Sequence, residues 1–484
     1  MTRLLTAAVV TLLLAVTMPQ TAARADDSDA FHYTPESVDT AAYWAALSNL
    51  ANAVMFSGLG EEQIVSPYER DDWLRRAGYV VRPAMPDMPM VGVVYAGGTP
   101  QFAGKPDFGD PATLVWKRDG FDKTLDPAAH AWALIKITSP EFHLQFHDIP
   151  GSKMAGLMML PQARTQAEAL FGRMRTESGL FASKTPNGLF LDPRAADQAA
   201  VLWGVANLIL VASNDRNDYW HGAYRKGIDP DDYRPFAQAA YEAVKISPLA
   251  TSLGRAVAIQ ALGRYAAIVA DEAKRKDVLA LASLIAKELR EHPGDGLADI
   301  GFAIYGLIEA GRMFGGFGFE AAGFDLFRDK LVPLWDERLR VFREGDSIRY
   351  TPTTTGGLVA ALNAIRWYGP GELKPVAEAL YPQFLETVLV RAGLLQASPL
   401  PLIAPDYLKG RPEAHFAHPK LPDPTVTGIA PVFASEVTWQ DGAWTVTDRR
   451  FHTTGAMLLA NMLAMRSKDG ADTFFTKSLL TRLQ

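Results

Sequence analysis

Apolar positions along the chain recur mainly at helical spacing. Residues 38–58, VDTAAYWAALSNLANAVMFSG, keep apolar side chains three and four apart and stop at glycine, which predicts an amphipathic helix. From 78 to 150 the pattern changes. Proline and glycine become frequent, and the short runs AWALIKITS (131–139) and FHLQFHD (142–148) predict strands. Helical spacing resumes near 161 and continues to about 395. A proline-rich passage from Ser398 to Pro431 follows. FASEVTWQDGAWTVTDR (433–449) then gives two alternating runs around Asp441-Gly442, a dipeptide that favours a type I′ hairpin turn. The last helix follows RRFHTTG (449–455). The predicted plan is a leader over 1–25, an N-terminal helical segment over 26–77, and a β-containing or loop-rich insertion over 78–150. A helical body over 151–484 carries the proline-rich segment 398–431 and the hairpin 432–448.

Two kinds of helix alternate in the body. One is small, apolar around most of its circumference and almost uncharged, as at 299–313 and 356–367. The other is one-sided and rich in Lys, Arg, Glu and Asp, as at 274–291 and 325–343. A helix apolar all round must be buried, and a one-sided helix covers it, so the alternation predicts concentric layers. Aligning the first kind on Gly254, Gly301, Gly356 and Gly455 gives steps of 47, 55 and 99 positions, the last close to two steps of fifty. A hairpin of one buried and one covering helix is the natural unit of that length. The similar phrases RYTPTTTGG (349–357) and RRFHTTG each lead into a helix of the buried kind.

These features predict a mainly α fold, an α/α toroid of helical hairpins with a β-containing N-terminal insertion and a small hairpin near the C-terminus. The TTGG and TTGA lead-ins, the fifty-residue step and GLADIGFAIYGL over 160–465 resemble the six-hairpin, (α/α)6 superfamily that includes many glycoside hydrolases and polysaccharide lyases. The resemblance is of architecture and carries over no family residue.

Arg3, the apolar run Leu4–Val16 and the small residues of ARA (23–25) read as a secretory signal peptide cut before Asp26, which implies a periplasmic or secreted protein. No later stretch reads as a membrane span. The chain has no cysteine, which excludes disulfides, thiolate metal sites and a cysteine nucleophile. With 48 basic against 54 acidic residues and no charged block, nucleic acid is not an expected partner.

Candidate chemistry lies in the segments that lead into the buried helices, where helix N-termini would converge. Asp299 and Asp448 form a candidate carboxylate pair for glycoside hydrolysis. Tyr350, His452 and Arg449 form a candidate base, acid and carboxylate-quieting cation for elimination on a uronic acid. Asp192, Asp197 and Arg349 belong to the same lead-ins as substrate-binding candidates, with His292 and Asp295 beside Asp299. Helix capping is the competing reading of Asp197 and Asp299, and an ion pair with Asp448 that of Arg450. The loop 212–233 adds Asp218, Trp220 and His221, aromatics beside carboxylates that suit a sugar's apolar face and hydroxyl rim. His143, His147, His415, His418 and the methionines Met85, Met88 and Met90 are metal-binding fragments without a complete shell, so no metal or other cofactor is assigned. No G-x-S-x-G or phosphate-binding glycine loop occurs. The expected function is an exported protein that binds or cleaves a polysaccharide or oligosaccharide. The alternatives are a non-catalytic envelope scaffold with a protein partner and a periplasmic handler of copper or another metal.

Overall fold

The computed structural model describes residues 23–24, 32–63, 68, 71–72, 90–108, 111–139, 150–215, 219–316, 318–345, 348–399, 418–464 and 477–483. Most of residues 1–25 (the stretch expected as a leader), the FHLQFHD run, Met85, Met88 and His415 lie outside these residues. Among those described, the protein is mainly helical, 60% helix in fifteen helices, with a few small sheets.

In chain order the helices are α1 (Val38–Ala51), α2 (Pro127–Ile137), α3 (Pro150–Arg173), α4 (Ala195–Ala212), α5 (Tyr219–Gly227), α6 (Pro230–Lys245), α7 (Ser252–Ile268) and α8 (Glu272–Glu291). They continue as α9 (Leu297–Phe314), α10 (Phe319–Leu326), α11 (Pro352–Tyr368), α12 (Lys374–Leu385), α13 (Pro424–Thr427), α14 (Thr453–Leu463) and α15 (Lys477–Leu483). Helices α2, α4, α7, α9, α11 and α14 are buried on nearly every side. Each touches the next in that order, and the succession closes because α14 also touches α2. One-sided helices lie against five of them: α3 on α2, α6 on α4, α8 on α7 and α9, α10 on α9, and α12 on α11. Helix α14 is backed by α1, which is buried along nearly its whole length instead of forming the expected amphipathic helix, and which passes into a buried π-turn at Asn52–Phe56. By length and composition α4 is apolar enough to span a membrane, which the sequence reading overlooked. It is 78% buried inside the protein, as a core helix would be.

Small residues set the spacing of the buried helices. A Cβ on Gly301 would lie 2.4 Å from the carbonyl of Gly357, and one on Gly357 would lie 2.8 Å from the carbonyl of Ala298. Backbone therefore meets backbone between α9 and α11, and no side chain fits there. Gly306 makes a similar approach to Ala256 on α7.

Two further sequence expectations change. The run AWALIKITS, expected as a strand, lies largely in α2, one of the six buried helices. Asp126 starts it as an N-cap, accepting from the Ala128 amide, with Pro127 at the first helical position. The segment 325–343, expected as one helix, leaves regular helix after Leu326. A π-turn (Phe327–Leu331) and a short 3-10 turn through Pro333 lead into paired strands at Trp335–Asp336 and Val341–Phe342. Proline supplies no amide to continue the helical ladder.

The strands are β1 (Ala23–Arg24), β2 (Gly60–Gln63), β3 (Met90–Gly98), β4 (Asp122–Leu125), β5 (Trp335–Asp336), β6 (Val341–Phe342), β7 (Ile348–Tyr350), β8 (Glu436–Gln440), β9 (Ala443–Asp448) and β10 (Phe451–His452). One sheet runs β1-β9-β8-β7 and a second runs β10-β3-β2 with β4 on β3. The expected hairpin is β8–β9. Its turn residues Asp441 and Gly442 both have positive φ, 52° and 77°, as a type I′ turn requires. Both similar phrases place a short strand, β7 or β10, ahead of a buried helix, α11 or α14. Those two first turns touch: a Cβ on Gly455 would lie 3.5 Å from Pro352.

Candidate functional site

The first turns of the buried helices are neighbours. Arg194 before α4 reaches Asp126 before α2, and Ala196 of α4 approaches Gly254 of α7. The Ser252 amide of α7 donates to Asp299 of α9, and α9 meets α11 at Gly301 and Gly357. Caps at Asp126, Thr251 and Thr351 satisfy some of the amides left free at these starts. The first turns of the six buried helices thus share one end of the helical assembly.

The tightest charge group there is Asp126, Arg194 and Asp197. Arg194 donates through one terminal nitrogen to Asp126 Oδ1 at 2.5 Å and through Nε to Asp197 Oδ2 at 2.8 Å. Two hydrogen bonds and one guanidinium separate the carboxylates, so they lie no more than about 8 Å apart. The Asp197 and Asp126 side chains are 7% and 12% exposed, against 50% for Arg194, whose outer edge faces solvent. A single cation cannot neutralise two desolvated carboxylates, so the more buried one is eased by holding a proton. Burial pushes the Asp197 carboxyl up, Arg194 pulls it down and Asp126 pushes it up again, leaving it at about 7. Burial works against the charge on Arg194, but the two carboxylates outweigh it and hold the guanidinium charged.

Asp299 lies further along the same end. Its Oδ1 accepts from the Ser252 amide at 3.3 Å, and its side chain underlies Gly294 and Gly296. Above it, residues 293–296 with Ile300, Leu326, Lys330, Leu334 and Glu344 line a half-open cavity of about 510 Å³. Burial raises the Glu344 carboxyl, the Leu297 amide opposes it, and Asp295 and Asp299 raise it further. Asp299 and Asp197 each occupy the third position of their helix, one turn inside the start.

The other sequence candidates are placed as follows. Tyr350 is fully buried, its hydroxyl donating to the Phe342 carbonyl, and burial pushes its ionisation well above the usual value. Asp448 is held by the fork of Arg450, at 2.6 Å to the nearer terminal nitrogen, which lowers its carboxyl below the usual value. Arg349 is paired with Glu436. Arg449 is exposed, and its carbonyl accepts from Gln396 at 3.0 Å. His452 is exposed on β10, in register with Gly97. Asp192 is exposed two residues before Arg194. Trp220 and His221 begin α5, but their side chains, like Asp218, fall outside the described residues. The residues that sequence reading missed are Asp126 and Arg194. Asp126-Pro127 is a helix-start signal inside a stretch whose proline and glycine content predicts an insertion.

His418 has a different setting from the one its neighbour His415 suggested. The coordinating atoms of His32, Glu386 and His418 all lie within 4.8 Å of one another. The surroundings fit a carboxylate held by donors better than a cation cage. His418 Nδ1 accepts from the Lys420 amide, which in a neutral ring leaves the proton on Nε2, facing Glu386 at 3.6 Å. Arg391 adds a fixed cation at 3.2 Å, and the amides of His32 and Tyr33 each donate to Glu386 at 2.7 Å. Burial alone would raise the Glu386 carboxyl; His418 and the two amides overcome it and hold it at about 2. Glu386 thereby ties the segment around His32 to the π-turn Glu386–Arg391 that continues α12. Replacing it with glutamine is expected to cost about 2–3 kcal/mol in urea unfolding at neutral pH. Because the folded carboxyl is depressed, its contribution is full above the ordinary 4.5 and is lost as pH falls towards 2, so the wild-type and Glu386→Gln curves should converge in acid.

Compared with known proteins, the chain matches no family model and no curated protein.

Proposed function

We propose that the chain is an exported α/α toroid that hydrolyses a glycosidic bond at the end where its inner helices begin. Asp197 is the proton donor, Asp126 is the second carboxylate, and Arg194 positions both. The closed succession of six buried helices, five of them partnered by a one-sided helix, supports the toroid. The observation that carries the chemistry is the convergence of carboxylates from two neighbouring helices on one guanidinium. Their separation, no more than about 8 Å, does not exceed the roughly 5–10 Å spanned by glycosidase carboxyl pairs, and the more buried one keeps its proton near neutrality. Elimination on a uronic acid fits less well, because Tyr350 has no open face and Arg349 is already paired. The leader supports export to the periplasm or medium.

The test is a panel of neutral and acidic polysaccharides assayed for new reducing ends and for ultraviolet absorbance from new double bonds. The expected result is reducing ends without new absorbance, lost in Asp126→Asn. New absorbance, or no product on any polymer, would contradict the reading. A non-catalytic envelope scaffold is the second reading. The exposed apolar run Leu189–Leu191 favours it, and it expects stable capture of an envelope protein with no turnover.

A further inference from the structure

We infer that His130 is the positioning residue of the carboxylate pair: wedged between β3 and the start of α2, it fixes where Asp126 stands and, through Arg194, how Asp197 is held. This rests on the carboxylate-pair reading above and extends it to a buried residue that touches no substrate. The need for a histidine begins in β3. Successive main-chain amides of a strand point to opposite sides. The Tyr95 amide goes to the Leu59 carbonyl at 3.1 Å, so the Val94 amide points the other way, towards α2. On that side β4 ends at Leu125, which is in register with Tyr95, and the chain leaves the sheet at Asp126 to begin α2. The ladder therefore supplies no carbonyl for Val94, and an amide left unpaired there would be destabilising. His130 stands one turn along α2, and its Nε2 accepts the Val94 amide at 3.1 Å. In a neutral ring the proton is then on Nδ1, which donates to the Asp126 carbonyl at 2.9 Å. The ring is fully buried, and burial lowers its ionisation to about 4 against the pull of the Asp126 carbonyl and carboxylate. Of the other charged groups that face it, Arg173 lowers it further and Glu61 raises it. Near neutrality His130 is thus an uncharged ring with both nitrogens committed.

The other flank of Asp126 is fixed as well, because Leu125 exchanges both main-chain hydrogen bonds with Lys184, at 2.8 and 2.9 Å. Between these supports, Asp126 Oδ1 accepts from the Ala128 amide and from Arg194. A continuous line of hydrogen bonds runs Val94–His130–Asp126–Arg194–Asp197. Without the ring, the first turn of α2 loses this tie to β3, and Asp126 is steadied from the Leu125 side alone. The direction of the effect on Asp197 follows. Asp126 raises the Asp197 carboxyl, and it shares the Arg194 guanidinium that lowers it. With Asp126 displaced, the repulsion weakens and Arg194 turns more fully to Asp197, so Asp197 gives up its proton at a lower pH.

The experiment compares the full chain as wild type, His130→Leu and His130→Gln. Leucine fills much of the same space with neither bond, whereas glutamine offers one acceptor and one donor, as the neutral ring does. Infrared titration of the buried carboxyl is the main readout, and it needs no substrate. Asp197 should lose its proton about one pH unit or more lower in His130→Leu, and within about 0.3 unit of wild type in His130→Gln. On whichever polymer the panel shows to be cleaved, kcat should fall roughly 10–100-fold in His130→Leu with KM within about twofold, and recover in His130→Gln. In the wild type, nitrogen NMR of labelled histidine should show one ring, missing from His130→Gln, that is protonated on Nδ1 and still neutral at about pH 5.5. That measurement decides the matter if His130→Leu does not fold: a proton on Nε2, or a charged ring at that pH, overturns the inference. An unchanged infrared titration in folded His130→Leu, whatever its urea midpoint, makes His130 a packing residue and overturns the inference while the proposed function stands. If the wild type holds no such proton, the donor assignment fails and the inference with it. If the titrations come out as expected while the panel is silent, the inference holds and the hydrolase reading alone fails.

Discussion

Asp197→Asn is expected to lower turnover by roughly 10²–10⁴-fold, the usual contribution of a positioned proton donor, while the protein stays folded. Asparagine keeps the shape of the side chain and cannot supply the proton. Folding should be unharmed, because Arg194 then faces Asp126 alone as a neutral pair. The same substitution has a second signature. The folded Asp197 carboxyl holds its proton to about 7, against 3.8 for an ordinary aspartate. Folded protein therefore binds that proton more tightly than unfolded protein, and stability falls as pH rises between those values. Urea midpoints of the wild type should decline across that interval more than those of Asp197→Asn, and above pH 7 the variant should be the more stable. A variant that loses both activity and fold at pH 5 would mark Asp197 as structural.

Gly301→Val is expected to be the most damaging single substitution in the helical assembly. The new Cβ alone would lie 2.4 Å from the Gly357 carbonyl, and that neighbour is backbone, which cannot rotate away. The helices must separate or the side chain must distort, at a cost of about 3 kcal/mol or more for an overpacked core. Gly455→Ala is the control, since its nearest neighbours lie at 3.5 Å, ordinary contact distance, and a loss below about 1 kcal/mol is expected. Urea unfolding of the two variants checks both, and equal losses would remove the argument that backbone contact sets the helix spacing.

The alternation of greasy and one-sided helices was legible because burial selects residue types along a whole helix. It is visible without knowing which helix touches which. The hairpin at Asp441-Gly442 was legible for a local reason, since two successive positive φ angles narrow the residue choice. Helix α2 was not, because its wider stretch is dense in proline and glycine and its own AWALIKI reads equally as a buried strand or a buried helix. Length and the Asp126-Pro127 start separate the two, and the start was the overlooked sign. The break at Pro333 was similarly outweighed by the charged, one-sided pattern around it.

Sequence reading pointed to the lead-ins as a set but could not choose among its members. Asp197 and Asp299 were chosen as residues ahead of helices, and both sit in first turns at that end. Tyr350 comes from the same kind of segment, yet its ring packs against Phe384 and its hydroxyl is bonded inside the protein. Which way a side chain points from a two- or three-residue strand depends on register with β8, and the chain does not write that register locally. Arg194 escaped notice because its role exists only once Asp126, nearly seventy residues earlier, is brought beside it.

The most direct test is an infrared titration of the carboxyl stretch in wild type and Asp197→Asn, from pH 4 to pH 9. One protonated buried carboxyl that persists to near pH 7 in the wild type, and is missing from the variant, is the predicted outcome. If every carboxyl in the wild type is ionised by pH 5, no proton is held between Asp126 and Asp197, and the assignment of a donor at this site is wrong.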